Sequence, residues 1–167
     1  MRNLLFQKIL YAPGNPREPE VLVTGKRGGF NILSAVTAAG VLRFSIEEGK
    51  IDSDKYIAFL EQLLRGRANP LILIVDRAPF HRSGKVRDFV RSNRKRIRVY
   101  FLPTYSPEMN PDEQVWNMLK SKKIGRKAIK TKPELKKKVN SVLRSLQRST
   151  ERVKSFFRLP HTQYAAV

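Results

Sequence analysis

The sequence predicts an α/β fold, a sheet with helices packed on its faces. Three observations carry that reading. Strand-like segments alternate along the chain with segments of helical period. A continuous apolar run, Leu71–Val75, is bounded by Pro70 and Asp76, as in a central strand covered on both faces. At 167 residues and 41% hydrophobic content, the chain is long enough for one domain with a sizeable core.

The elements follow in order. The first 27 residues are poorly patterned, with Pro13, Gly14, Pro16 and Pro19 punctuating a loop-like stretch. Phe30–Val36 and Val41–Ile46 read as strands separated by Ala38–Gly40, a hairpin. Ile51–Arg65 reads as a helix capped by Asp52 or Ser53, with Tyr56, Phe59, Leu60, Leu63 and Leu64 as its apolar stripe. After the Leu71–Val75 strand, Gly84–Asn93 is helical with Val86, Phe89 and Val90 inward, and Arg98–Leu102 is a further strand. Pro103–Met109 forms a loop. Asn110 as N-cap and Pro111 at the first helical position open a helix to about Lys122. A last helix covers Lys132–Gln147, where Thr131 and Glu134 make a capping box and Leu135, Val139, Val142, Leu143 and Leu146 line one side.

Composition narrows the function. Against 14 Asp and Glu stand 34 Lys and Arg, a net charge of +20, which points to a polyanionic partner. There is no cysteine, which excludes disulfides and thiolate zinc sites, and the two histidines His81 and His161 exclude a histidine-rich metal centre. No apolar run approaches the roughly 20 residues of a membrane span, and Met1–Ala12 lacks a signal-peptide core. A cytoplasmic protein without membrane contact is expected.

Two carboxylates stand where chemistry collects. Asp76 ends a buried strand, and functional groups in α/β sheets gather beyond such ends. Glu113 opens a later helix. A hard cation needs oxygen ligands, and two ions roughly 3.5–4 Å apart can serve both the attacking and the leaving oxygen of an in-line displacement. Plainer readings stand beside this one. An Asp after a strand can simply cap a turn, and Glu113 lies three residues after Asn110, the capping-box spacing. Glu113 shares its helical face with Asn117 and Lys120, either a solvated surface or a cleft wall, while Val115, Met118 and Leu119 face the core. Asp112, nearer the core side, is the second choice as ligand. His81 suits a hydrogen bond within its loop or a phosphate contact better than a general-base role. Ser106 reads as a turn residue. Tyr105 and Trp116 are aromatic candidates for stacking on bases, Trp116 more as packing.

The segment Asp76-Arg77-Ala78-Pro79-Phe80-His81-Arg82-Ser83 resembles the second-aspartate motif of DDE transposases of the mariner superfamily, bacterial insertion-sequence branch. Leu102–Trp116, LPTYSPEMNPDEQVW, resembles that family's third-carboxylate motif over its whole length, with Lys120 shortly after. The resemblance runs from about Val21 to Lys120. It implies a ribonuclease H-like mixed sheet flanked by helices, and metal-dependent cutting and joining of DNA ends, with Mg2+ as cofactor and Mn2+ as substitute. It makes Asp76 and Glu113 the second and third metal ligands. The implied partners are transposon-end and target DNA, with a homodimer in a transposition complex associated with the nucleoid.

One carboxylate of the pattern is missing. The family's first aspartate lies on the first strand, ahead of a Trp-x-Pro-like segment of which Tyr11-Ala12-Pro13-Gly14 looks like the remains. The preceding MRNLLFQKIL contains no Asp or Glu. The first strand is therefore expected to be missing or altered, leaving sheet edges unpaired, and the family's N-terminal helix-turn-helix is not found. On this reading residues 1–27 are a remnant of the first hairpin and loop, 28–122 the catalytic core, and 123–167 a basic helical extension. The chain looks like the back of a transposase: a degraded copy, a second reading frame joined by frameshifting, or a start placed too far downstream.

Basic clusters flank the two carboxylates. Asn117–Arg158 holds fifteen Lys and Arg against Glu134 and Glu151, and Arg82–Arg98 holds eight against Asp88. Such residues grip phosphates without reading sequence. The DNA-contact candidates are His81, Arg82, Lys85, Tyr105, Asn117, Lys120, Lys122 and Lys123. Three functions follow: an impaired transposase domain, a catalytically inactive basic DNA-binding relic, or a subunit whose site is completed by another chain.

Overall fold

The computed structural model of the chain describes residues 4–11 by their main chain, and residues 30–104, 106–121 and 131–166 in full. Five strands form one mixed sheet: β1 (Leu4–Tyr11), β2 (Phe30–Val36), β3 (Leu42–Glu48), β4 (Leu71–Val75) and β5 (Ile97–Phe101), in the order β3-β2-β1-β4-β5. β1 runs antiparallel to β2 and parallel to β4, while β4 and β5 are parallel.

Of the two expectations for the first strand, missing or altered, the second holds: the strand is present, at the centre of the sheet and paired on both sides. The expectation of unpaired edges beside β2 and β4 is corrected accordingly. The reason is physical: a ladder is held by main-chain hydrogen bonds, so an apolar LLFQKILY can keep the strand's place without its carboxylate. What is altered is the chemistry, since β1 contains no acid.

Alternation along β2 divides the core. Phe30, Ile32 and Val36 join one cluster with Val115, Trp116, Leu119, Leu135, Val139 and Leu143. Leu33 and Ala35 join the opposite cluster with Tyr56, Phe59, Leu60, Leu71, Leu73 and Val75. The first cluster is closed by α3 (Glu113–Ser121), α4 (Lys132–Arg148) and α5 (Thr150–Ser155), the second by α1 (Ser53–Leu64) and α2 (Gly84–Ser92). β4 is covered unequally: Leu71, Leu73 and Val75 are buried against α1 and α2, whereas Ile72 and Ile74 on the other face are only half-covered.

The caps at Asp52 and Thr131 are as the sequence suggests, and Ser83 adds one that was not expected. Asp52 accepts the Lys55 N–H at 2.9 Å, Ser83 the Val86 N–H at 3.3 Å, and Thr131 the Glu134 N–H at 3.3 Å. The hydroxyl of Ser53 donates to that of Ser83 at 2.8 Å, tying the starts of α1 and α2 together. β3 extends to Glu48, beyond the expected Ile46, and β5 begins one residue earlier than expected, at Ile97. α5 and the segment after it fall within the expected helical extension, though no separate element was placed there. Their Val153, Phe156, Phe157 and Ala165 complete the first cluster.

Candidate active site

The carboxyl end of β4 delivers Asp76 on the same face as Ile72 and Ile74, the side covered by α3, because side chains alternate along a strand. The chain then turns sharply. The Asp76 carboxylate accepts the Ala78 N–H at 3.0 Å, the turn-capping geometry, while its side chain stays 43% exposed. Capping and partial exposure thus coexist at one residue.

His81 completes the turn from beneath. Its Nδ1 lies 2.9 Å from the Asp76 carbonyl oxygen and 3.1 Å from Asp76 Oδ1, so it faces two acceptors and is the nitrogen that carries the proton. The ring packs against Tyr56 and Phe80, with centroids 4.7 and 4.3 Å away. Its Nε2 is buried with no hydrogen-bond partner among the described residues. At 3% exposure His81 does not reach the surface. The expected DNA contact is corrected here: the imidazole is drawn inward by an aromatic pocket and by the Asp76 main chain. The alternative of a bond within its loop is what the structure holds. Burial, together with the nearby Asp76 charge, pushes the Tyr56 hydroxyl far above its ordinary range.

The second carboxylate arrives on α3. Asn110 Oδ1 accepts the Asp112 N–H at 3.0 Å and Asn110 O accepts the Glu113 N–H at 3.0 Å, so Pro111 and Asp112 form a lead-in turn before the helix. Asp112, the second choice as ligand, is fully buried and accepts from the Ser34 hydroxyl at 2.6 Å. It anchors α3 to β2. The next residue, Glu113, is half-buried at the helix start. The lead-in loop is itself held from the C-terminal segment, where the Tyr164 hydroxyl donates to the Met109 carbonyl at 2.7 Å. Sequence reasoning missed this clasp, since nothing local to Tyr164 signals a partner 55 residues earlier.

Between these anchors runs β1. Lys8 is level with Ser34 in the β1–β2 register, and Gln7 is level with Val75 in the β1–β4 register. At about 4.8 Å between neighbouring strands, β2 and β4 stand roughly 10 Å apart with β1 between them. The intervening strand carries no acid, and no cluster of three or more His, Cys, Asp or Glu able to hold a metal occurs among the described residues. A two-ion centre, with its bridging and flanking carboxylates, does not fit this donor set. A single hard cation needs less: one or two carboxylates, with water in its other positions.

Of the remaining candidates, Arg82 is exposed beside His81. Lys85 is exposed and ion-paired with Asp54 at 3.0 Å. On α3, the exposed Asn117 donates to Gln114 Oε1 at 3.2 Å, and Lys120 Nζ sits 4.8 Å from the centre of the Trp116 ring. Trp116 itself is buried in the core. Tyr105, Lys122 and Lys123 lie outside the described residues.

A sequence profile for "DDE superfamily endonuclease" matches residues 6–136. The chain belongs to that family. No curated protein matches it in sequence. Among solved structures, the catalytic domain of Mos1 mariner transposase is similar at 14% identity and TM-score 0.64, over 94% of this chain and 79% of that one. The Mos1 mariner paired-end complex with Mn is similar at 14% and 0.63, over 98% and 56%. A simian T-cell lymphotropic virus intasome in complex with PP2A regulatory subunit B56 gamma follows at 14% and 0.61, over 86% and 48%. At such identities the likeness establishes the fold, that of the ribonuclease H-like transposase catalytic domain. This DDE family member spans just over half of the chain in the paired-end complex. The Mos1 catalytic domain has also been solved with Raltegravir and Mg, and with Raltegravir and Mn.

Proposed function

We propose that this DDE-family chain acts on DNA ends through Asp76 and Glu113, and that its cutting and joining are impaired for want of a third carboxylate on β1. One observation carries the reading: Asp76 leaves β4 half-exposed beside a central strand that is in place but holds no acid. Mg2+ or Mn2+ is the cofactor, as the metals in the Mos1 catalytic-domain structures suggest. The ion would be held by Asp76 and Glu113, where it would polarise a phosphate oxygen and make bound water more acidic.

The chain's own residues do the rest. The Ala78 N–H and His81 fix Asp76, so its carboxylate needs little reordering on meeting a ligand. Asp112 and Asn110 fix the start of α3 and with it Glu113. The exposed Arg82, Asn117 and Lys120 are suited to hold phosphates on either side. The partners are transposon-end and target DNA, as the paired-end and strand-transfer complexes of Mos1 suggest, and a homodimer of this chain engages them.

The test is nicking of supercoiled plasmid in Mn2+ by the wild type, Asp76→Ala and Glu113→Gln. Slow nicking by the wild type and none by either variant supports the reading. Equal behaviour of all three would overturn it. A second reading, a DNA-binding protein that no longer cuts, is favoured by the lack of a three-residue metal cluster among the described residues. It predicts salt-sensitive DNA binding indifferent to metal and to Glu113→Gln. If nicking appears only when a longer transposase fragment is added, the missing carboxylate comes from another chain.

A further inference from the structure

Among the described residues, the sheet face that carries Asp76 is left open along its β5 margin. Ile72 is level with Arg98 and Ile74 with Tyr100 in the β4–β5 register, and paired residues share a face. Arg98 and Tyr100 therefore lie on the α3 side with Ile72, Ile74 and Asp76. The helices close this face over β2 and β3, but at β5 Tyr100 is 51% exposed, Arg98 is exposed, and the two isoleucines are half-covered. β5 contains no acid, and the one carboxylate on this row is Asp76 at its end. The result is an apolar floor edged by an aromatic ring and a guanidinium, leading along β4 to Asp76.

We propose that this margin takes unpaired bases of a DNA strand end, with a base stacked on Tyr100 and the adjoining phosphate on Arg98. The proposal rests on the reading of the chain as a DNA-acting domain and adds to it a place and a strand state. Charge selects a polyanion here, since the chain carries a net charge of +20 and β5 itself holds Arg98 and no acid. The exposed ring selects an unpaired base, because bases inside a duplex present no face for stacking. Stacking of this kind tolerates any sequence, and Arg adds to it. Two residues along a strand cover about 6.6 Å, so with one flanking phosphate on Arg98, the step from Ile74, beside Tyr100, to Asp76 is short enough to bring the phosphate on the other side of the stacked base toward the carboxylate.

The experiment compares binding of a blunt duplex with that of the same duplex bearing a short single-stranded overhang, by fluorescence anisotropy, for the wild type, Tyr100→Ala, Tyr100→Phe and Arg98→Ala. A 2-aminopurine in the overhang reports stacking directly. The wild type is expected to prefer the overhang and to quench the probe. Tyr100→Ala should lose about fivefold or more in overhang affinity and the quenching, with blunt-duplex affinity unchanged. Tyr100→Phe should retain both, and Arg98→Ala should weaken overhang binding. If Tyr100→Ala binds and quenches as the wild type does, the inference is overturned while the DNA-acting reading stands. A change in sedimentation with both DNA affinities unaltered assigns the margin to a second copy, and also overturns it. Binding to neither DNA overturns the DNA-acting reading itself.

Discussion

Asp76 caps its turn and still keeps its carboxylate half-exposed, with His81 bracing it. By holding both the main-chain carbonyl and the carboxylate of Asp76, the imidazole fixes the turn without consuming the residue's exposure. Replacing His81 separates the contributions. His81→Phe fills the pocket beside Tyr56 and Phe80 but removes the donor, and is expected to cost about 0.5–1.5 kcal/mol in urea unfolding and to abolish Mn2+-dependent nicking. His81→Asn keeps an N–H near Nδ1 and should recover nicking even where stability stays lower. Nicking that tracks stability alone in both variants would reduce His81 to packing. Asp112 is the neighbouring case. Its placement toward the core was legible from helical spacing, but its bond to Ser34 was not, since the donor sits 78 residues earlier.

Among the elements, α4 is fastened to the sheet at two levels. Leu135, Val139, Leu143 and Leu146 bury its apolar side, and outside them Lys132 and Lys136 bracket Glu48 at the end of β3, at 3.5 and 3.1 Å. The hydrogen bond from Lys136, then the charge of Lys132, hold the Glu48 carboxyl below the ordinary glutamate value. A carboxyl depressed on folding contributes stability that is full above its unfolded value and is lost as pH falls through the folded one. The melting temperature should therefore drop with acidification below the ordinary glutamate range, and Glu48→Gln should flatten that part of the profile. An unchanged profile in the variant would show that the pair is screened by solvent, as exposed pairs often are.

The elements also show where the sequence is readable. Every helix with a local cap and a sustained apolar stripe, such as Ser53–Leu64 and Lys132–Arg148, lies within two residues of where spacing puts it. β1 was not readable, because its place depends on partners in β2 and β4 that a local pattern does not reveal. The same holds for α5, whose start is set by the turn between β2 and β3. Gly40 has φ +85°, and a Cβ there would come within 2.6 Å of the Thr150 carbonyl. At the candidate site, the positions of Asp76 after a strand and Glu113 at a helix start are legible because those signals are local, whereas a ligand role for either rests on the motif resemblance. The inward turn of His81 is not legible, because nothing in DRAPFH shows that Tyr56 waits beneath.

For the molecule as a whole, charge dominates what it meets. With Lys and Arg exceeding acids by 20, DNA binding should weaken linearly in log–log terms with salt, at a slope of about −0.9 per phosphate neutralised on duplex DNA. Titrations at several salt concentrations check this. The Lys120→Ala variant should make the slope shallower by about one if that residue holds a phosphate. A slope near zero would remove DNA from the list of partners. No helix among the described residues is long and apolar enough to cross a membrane, so the basic surface is not the flank of a helical span there.

The central position of β1 also bears on how the chain is made. β1 precedes β4 by a long stretch of chain, yet one of its edges is closed only by β4, with Leu4 level with Ile72. During synthesis at roughly 5–20 residues per second, β1 and β2 leave the ribosome several seconds before β4 follows. For that interval the nascent sheet offers the flank of its middle strand to any passing chain. A ribosome pause between Leu64 and Leu71 would lengthen the exposure, so the yield of soluble protein should depend on how quickly those codons are read.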